Sequence, residues 1–132
     1  MNTTDMEGDP IKIKEILDKY HNLILRKFNI KSTYKIYDPC KPVFNFYDYY
    51  LDNVGRVATL YIGNFNLDEN EYKAMLIVSD YENFKNKIKF NSNELYREQE
   101  FEKGFEHFKN VLVNIKKIQN EIRLNKMLGD FE

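Results

Sequence analysis

Apolar residues recur with a seven-residue spacing near the end of the chain. Four of these residues follow one another at intervals of seven: Phe101, Phe108, Ile115 and Ile122. Two more, Val111 and Ile118, fill positions between them. This is the pattern of a short coiled-coil seam on one side of a helix. Because residues 93–128 contain no proline, the pattern predicts one long helix over residues 92–128.

Charge along this predicted helix changes sign from its first half to its second. Glutamates such as Glu98 and Glu106 precede lysines such as Lys109 and Lys126. At about 1.5 Å per residue the helix would extend roughly 50 Å, whereas a compact chain of this length has a radius of gyration of about 14 Å. We therefore expect part of the helix to protrude and its six seam residues to form an antiparallel homodimer, in which opposite charges face each other. The alternative is that the seam packs on the chain's own sheet.

Length and net charge limit the class of protein. A chain of 132 residues suits one domain, and we expect this domain over residues 10–132 after a flexible tail, residues 1–9. The net charge of −1 gives no overall attraction to nucleic acid or membrane. With no signal-peptide pattern or membrane-spanning apolar run, the sequence predicts a soluble, cytoplasmic protein without a membrane partner.

The first predicted helix covers residues 10–29. Asp9 and Pro10 match an N-cap followed by the first helical position, where proline's missing N–H is harmless. Apolar residues follow with a period of 3.6 from Ile13 to Phe28. The remaining positions are rich in lysine, so the outer face of this helix is basic.

From residue 32 to residue 79 the apolar period is two, which is typical of strands. Four aromatic and β-branched runs are separated by turn residues: Thr33–Tyr37, Val43–Leu51, Arg56–Phe65 and Glu71–Val78. Their short connections favour an antiparallel meander. The sequence therefore predicts a four-stranded sheet.

Both faces of this predicted sheet are apolar. Leu60, Leu76 and Val78 alternate with Tyr61 and Ile77, whereas a sheet with one solvated face would alternate apolar with polar residues. The second face must therefore be covered. We expect the chain's own C-terminal helix to cover it, with a partner as the alternative.

A short helix is predicted between the sheet and the long helix. Ser79 and Glu82 have the spacing of a capping box, which would open a helix over residues 80–90. The predicted fold class is therefore α+β: an N-terminal helix, a four-stranded antiparallel β-meander, a short helix and a long C-terminal helix. Gly104 lies inside that last helix, and indicates either a bend or a close backbone approach.

Residues with catalytic chemistry are few. Cys40 is the only cysteine, and the two histidines, His21 and His107, lie in no recognisable motif. Asp18 and His21 are one helical turn apart and could form half a metal site, although a surface ion pair or a partly buried histidine is much commoner. The sequence predicts no cofactor, no metal and no enzymatic activity.

An acidic, tyrosine-rich strand is the predicted contact surface. Residues 38–82 carry eight acids against three bases, and tyrosine is enriched at interface hot spots. The predicted partner-binding residues are Tyr47, Asp48, Tyr49, Tyr50, Asp52, Glu98, Glu102 and Glu106.

The favoured function is that of a non-enzymatic protein-protein interaction module. Sixteen lysines against four arginines fit an AT-rich genome. A small acidic domain could act as a phage or mobile-element inhibitor that occupies the basic nucleic-acid groove of a host nuclease. The larger partner would then have a basic surface. The alternative is a nucleic-acid-binding accessory protein that uses Lys12, Lys19, Arg26, Lys27, Lys85, Lys87 and Lys89.

Overall fold

The computed structural model describes residues 8–129, which form two helices and five strands. In chain order these are α1 (Pro10–Lys27), β1 (Lys31–Lys35), β2 (Phe46–Leu51), β3 (Gly55–Asn66), β4 (Glu71–Phe84), β5 (Lys87–Arg97) and α2 (Phe101–Gly129). Single 3-10 turns precede β2 and α2, at Pro42–Phe44 and Glu98–Glu100.

The five strands form one antiparallel sheet in the order β1-β2-β3-β4-β5. Each strand therefore pairs with the one that follows it in sequence, as expected for a meander. The α+β class, the N-terminal helix and the long C-terminal helix are confirmed. The number of strands is five rather than four.

Helix α1 begins where its capping residues predict. The Asp9 carboxylate accepts hydrogen bonds from the backbone N–H groups of Ile11 and Lys12, at 3.0 and 3.3 Å, which satisfies two of the free donors of the first turn. The Asp9 N–H donates to the Tyr72 hydroxyl at 2.7 Å. Most of the predicted flexible tail, residues 1–7, lies outside the described residues.

The predicted short helix over residues 80–90 is wrong, and so is the predicted start of the long helix at residue 92. Strand β4 continues to Phe84 and turns into β5 through Lys85 and Asn86. Both turn residues have positive φ, 52° and 62°. A two-residue hairpin turn needs positive φ at both positions to match the right-handed twist of the strands that it joins. The Ser79 hydroxyl donates to Asn93 across the strands at 2.7 Å instead of capping a helix. Pairing with β4 outweighs the weak local helix signals.

Both helices pack on the same face of the sheet. Leu17 and Ile24 of α1 and Phe108 of α2 are fully buried against Leu60 and Leu76 from the two central strands. The rings of Phe28 and Phe108 stack with centroids 4.4 Å apart. The hydrophobic core therefore lies in one layer between the sheet and the two helices.

The seven-residue seam belongs to this core. Five of its six residues are buried inside the domain: Phe101, Phe108, Val111, Ile115 and Ile118. Only Ile122 is partly exposed. A coiled-coil interface and a helix packed on a sheet both need a narrow apolar stripe, and in this fold the stripe contacts the chain's own sheet. These five residues are therefore not available to form the predicted homodimer.

Gly104 marks a close approach of helix and sheet rather than a break in the helix. Helix α2 is continuous through this position. A Cβ atom added to Gly104 would lie 3.0 Å from Cγ of Tyr96 and 3.1 Å from Cδ2 of Leu76. The missing side chain lets the helix backbone lie directly on β4 and β5.

The second face of the sheet is not covered by α2. In the paired strands, Tyr61, Met75 and Ile77 point away from the face that carries Leu60 and Leu76. Among residues 8–129 no helix lies on that side, since both helices contribute to the core cluster of the opposite face. The expectation that the C-terminal helix covers this face is therefore wrong, because its stripe is used on the other side.

The end of the β4-β5 hairpin projects from the sheet together with the second half of α2. Pairing between β3 and β4 ends at Val78, so residues 79–84 pair only with β5. Asn114 and Asn125 of α2 donate to Tyr81 O and Asn86 Oδ1, at 3.1 and 2.9 Å. We call this two-stranded ribbon and its helix, residues 81–92 and 113–129, the arm.

Candidate functional site

A polar cluster joins α1 to β2. Asp18 accepts hydrogen bonds from the Lys14 ammonium at 2.7 Å and from the Tyr47 hydroxyl at 2.6 Å. His21 stacks on the Tyr47 ring at 3.8 Å, and its Nδ1 lies 2.8 Å from the Tyr49 hydroxyl. The cluster ties the polar ends of two buried tyrosines to the helix that covers them.

The pKa shifts in this cluster indicate a structural role rather than a catalytic one. Burial raises the pKa of Asp18, but hydrogen bonds from Lys14 and Tyr47 outweigh it, so the net pKa is lowered. Burial raises the pKa of Tyr47 and, much more strongly, that of Tyr49. Neither phenol is therefore activated as a nucleophile or base at neutral pH.

The pKa of His21 gives a testable pH dependence. Burial lowers this pKa below its ordinary value of 6.5, so folding favours the neutral ring. The stability it contributes is present above pH 6.5 and is lost as the pH falls through the lower folded-state pKa. We expect the difference in free energy of unfolding between wild type and His21→Gln to become smaller as the pH is lowered from 8 to 5. A constant difference, measured by urea unfolding, would contradict the shift.

A second polar cluster links β4, β5 and α2 through His107. Its Nε2 lies 2.8 Å from Asp80 Oδ1, and its Nδ1 lies 2.8 Å from the Tyr96 hydroxyl. Because a carboxylate only accepts, Nε2 donates to Asp80, while Nδ1 and the Tyr96 hydroxyl share the second hydrogen bond. No sequence pattern pointed to this cluster, because His107 and Asp80 are 27 residues apart and lie on different elements, α2 and β4.

The Asp80-His107-Tyr96 chain resembles a catalytic triad in connectivity only. Burial, followed by the nearby Glu94 carboxylate, raises the pKa of Tyr96 to about 12. A nucleophile would need a lowered pKa, so this arrangement holds a buried tyrosine in place. Within residues 8–129 no three His, Cys, Asp or Glu side chains are grouped as a metal site.

The uncovered side of the sheet, which we call the open face, consists mainly of two cross-strand rows. The first row runs across all five strands through Lys35, Phe46, Tyr61, Met75 and Arg97, and the second through Thr33, Asp48, Thr59, Ile77 and Leu95. The centre of the first row is apolar and its two ends are basic. Both rows are continuous because each strand pairs in register with the next.

A groove of about 420 Å³ crosses the open face. Aromatic and aliphatic side chains line most of it, including Phe44, Phe46, Tyr61, Phe65 and Ile77. This volume lies in the range of roughly 300–1,000 Å³ that is usual for ligand and anchor-residue sites. Leu95, just beyond the groove in the second row, is 50% exposed.

The structure separates the predicted contact residues of the tyrosine-rich strand. Tyr47 and Tyr49 are buried against the helices, so they form no surface. Asp48 and Tyr50 point to the open face. Asp48 accepts from the Thr59 hydroxyl at 2.8 Å and lies 3.8 Å from Arg56.

The strand's carboxylates do not form an acidic surface. Asp48 is opposed by Arg56, and Asp52 forms an ion pair with Lys31 at 2.6 Å. Lys35 and Arg97 add positive charge at the two edges. The local excess of acids read from the sequence therefore lies mostly in turns and on the other elements.

The remaining predicted site residues lie at separate places. Glu98 Oε1 accepts from the backbone N–H of Ala74 at 3.2 Å, while Glu102 and Glu106 are exposed on the first turns of α2. The seven predicted nucleic-acid-binding residues fall into two groups. Lys12, Lys19, Arg26 and Lys27 are exposed on α1, and Lys85, Lys87 and Lys89 are exposed on the arm.

Comparison with known proteins yields no relative of this chain. No protein-family model matches it, and no curated protein or solved structure is significantly similar. No helix among residues 8–129 is both long and apolar enough to cross a membrane.

Proposed function

We propose that the protein is a non-enzymatic protein-binding module and that the open face is its contact surface. The observation that carries this proposal is the apolar groove on a sheet face that no described helix covers. Large exposed apolar patches are uncommon on monomers and typically mark interaction sites. The groove offers anchoring pockets for apolar side chains, as interface hot spots require.

The charges around the groove favour a partner segment with apolar anchors and acidic flanks. Lys35 and Arg97 lie at the two ends of the apolar row. Opposite charges at the rim of an interface speed association and fix its register. The proposed occupant is therefore an acidic, amphipathic segment of a larger protein.

The more specific function predicted from sequence, a phage or mobile-element inhibitor that occupies a basic nucleic-acid groove, remains a proposal with less support. It would require an acidic contact surface, and the carboxylates of the open face are paired with Arg56 and Lys31. Its remaining acidic candidates lie elsewhere: Glu98 in the 3-10 turn before α2, and Glu102 and Glu106 on α2 itself.

Site-specific photo-cross-linking in cells that produce the protein tests the proposed surface. A benzophenone amino acid at Leu95 should cross-link a discrete protein, because this position borders the groove and is half exposed. The same probe at Ile11, which is 72% exposed on α1, is the matched control. A nuclease-resistant product from Leu95 and none from Ile11 is the expected result. Equal products from both positions would contradict the proposal.

Charge substitution then measures the energy of the contact. We expect Leu95→Glu to weaken binding of the cross-linked protein by about 30-fold, which corresponds to the roughly 2 kcal/mol of a hot-spot residue. The melting temperature should change little, since the added carboxylate is solvated in the free protein. Ile11→Glu should leave both quantities unchanged.

A further inference from the structure

The arm brings together positively charged residues that are far apart in the sequence. The hairpin contributes Lys85, Lys87 and Lys89, and the adjacent half of α2 contributes Lys116, Lys117, Arg123 and Lys126. Only Glu82 and Glu121 oppose them within the arm. The arm therefore carries a net charge of +5 in a chain whose net charge is −1.

These seven cations are exposed. None of them forms an ion pair with a carboxylate of residues 8–129. The Asn83-Glu121 and Asn86-Asn125 side-chain contacts hold the hairpin tip against α2, at 3.5 and 2.9 Å. Lys87 and Lys89 lie on the hairpin face that is turned away from α2, and Glu82 stands directly opposite Lys89. The hairpin and α2 therefore present two neighbouring basic surfaces, and the excess of positive charge on them attracts polyanions.

Two exposed phenylalanine rings lie on opposite faces of the hairpin. Phe84 shares its face with Lys87 and Lys89, whereas Phe90 lies on the face of Tyr81, which is turned toward α2. Phe84 is 44% exposed and Phe90 is 50% exposed. The ammonium groups of Lys89 and Lys85 lie 4.4 and 5.3 Å from the centroid of the Phe84 ring. Phe90 is supported edge-on by Tyr81, at a centroid distance of 6.2 Å. Flat rings beside cations are the combination that binds unpaired bases together with their phosphates.

We propose that the arm binds single-stranded nucleic acid, with backbone phosphates on the lysines and a base stacked on Phe84. The proposal does not depend on the open face, which lies outside the arm. It favours a single strand over a duplex because the Phe84 ring can stack only on bases that are not already paired and stacked. The sequence prediction combined the basic face of α1 with Lys85, Lys87 and Lys89. The present proposal keeps these three lysines, leaves out α1 and adds the cations of α2.

Binding of a fluorescently labelled 15-nucleotide single strand at two salt concentrations tests the proposal. With about five phosphates neutralised, affinity should fall about 100-fold between 50 and 200 mM salt. The triple variant Lys85→Gln, Lys87→Gln, Lys89→Gln should bind at least tenfold more weakly at 50 mM, with a shallower salt dependence. Its melting temperature should change little, because these side chains make no ion pair and the ring contacts of Lys85 and Lys89 are solvent-exposed.

Matched controls decide whether the arm is the site. The variant Lys12→Gln, Lys19→Gln, Arg26→Gln removes the same charge from α1 and should bind like wild type. Equal loss in the two triple variants would overturn the proposal, as would no binding at 50 mM salt. Equal or tighter binding of a duplex, or of vesicles rich in phosphatidylserine, would also overturn it.

A tryptophan reporter tests the stacking directly. The chain contains no tryptophan, so Phe84→Trp introduces a single indole at the centre of the proposed site. Its fluorescence should be quenched by an unlabelled single strand, because stacked bases quench an indole. Unchanged emission at saturating oligonucleotide would contradict stacking at this position.

Discussion

Replacing Phe108 by alanine is expected to lower the free energy of unfolding by about 3–5 kcal/mol. Phe108 is fully buried, stacks on Phe28 and contacts Tyr49 edge-on at a centroid distance of 6.1 Å. Its removal leaves a cavity that the sheet on one side and α1 on the other cannot fill. A loss of this size is a large part of the 5–15 kcal/mol typical of a domain.

The unfolding experiment also distinguishes a core from an interface between copies. Urea unfolding of Phe108→Ala should be independent of protein concentration, as for the wild-type chain. Phe84→Ala, at a half-exposed phenylalanine, is the control, and should cost about 1 kcal/mol or less. If Phe108→Ala instead converts a dimer into an equally stable monomer, the seam is an intermolecular contact.

Gly104→Val is expected to destabilise the domain by about 3 kcal/mol, because it over-packs the contact between α2 and the sheet. The first added carbon already lies within about 3 Å of Tyr96 and Leu76, and the two further methyl groups need space that the contact does not have. The cost is measured by thermal or urea unfolding.

Gly129 is the matched control for this substitution. It also lies in α2, and a Cβ atom there would meet no atom of residues 8–129 within 4 Å. Gly129→Val should therefore leave stability nearly unchanged. A similar loss at both positions would indicate a helix-propensity effect rather than a close approach of α2 to the sheet.

The sequence patterns predicted the elements with strong local signals. Asp9 and Pro10 predicted the start of α1 correctly, because an N-cap and a first-turn proline act within a single helical turn. The first four strands were predicted near their actual positions, because aromatic and β-branched residues alternate with a period of two. Strand β5 was missed because only Tyr96 among its residues is buried, which leaves almost no alternation to detect.

The arrangement of the elements could not be read from the same patterns. A helix that contacts another copy and a helix that packs on its own sheet can show the same seven-residue apolar repeat. The positions of Phe108 and Ile115 therefore did not distinguish a dimer interface from a core. The apolar residues Tyr61 and Ile77 showed that a second face exists, but a period-two pattern does not say what covers it. Residues distant in sequence, such as Asp80 and His107, meet only after this packing is set.

Oxidative footprinting of the open face tests most directly whether this face is a binding surface. Tyr61, Ile77 and Leu95 should be labelled in the purified protein and protected in the cells that produce it, while Phe108 should be protected in both. Equal labelling of the three residues in both conditions would mean that no partner covers the face. Protection in the purified monomer would mean that the chain covers it itself, and would contradict the proposed function.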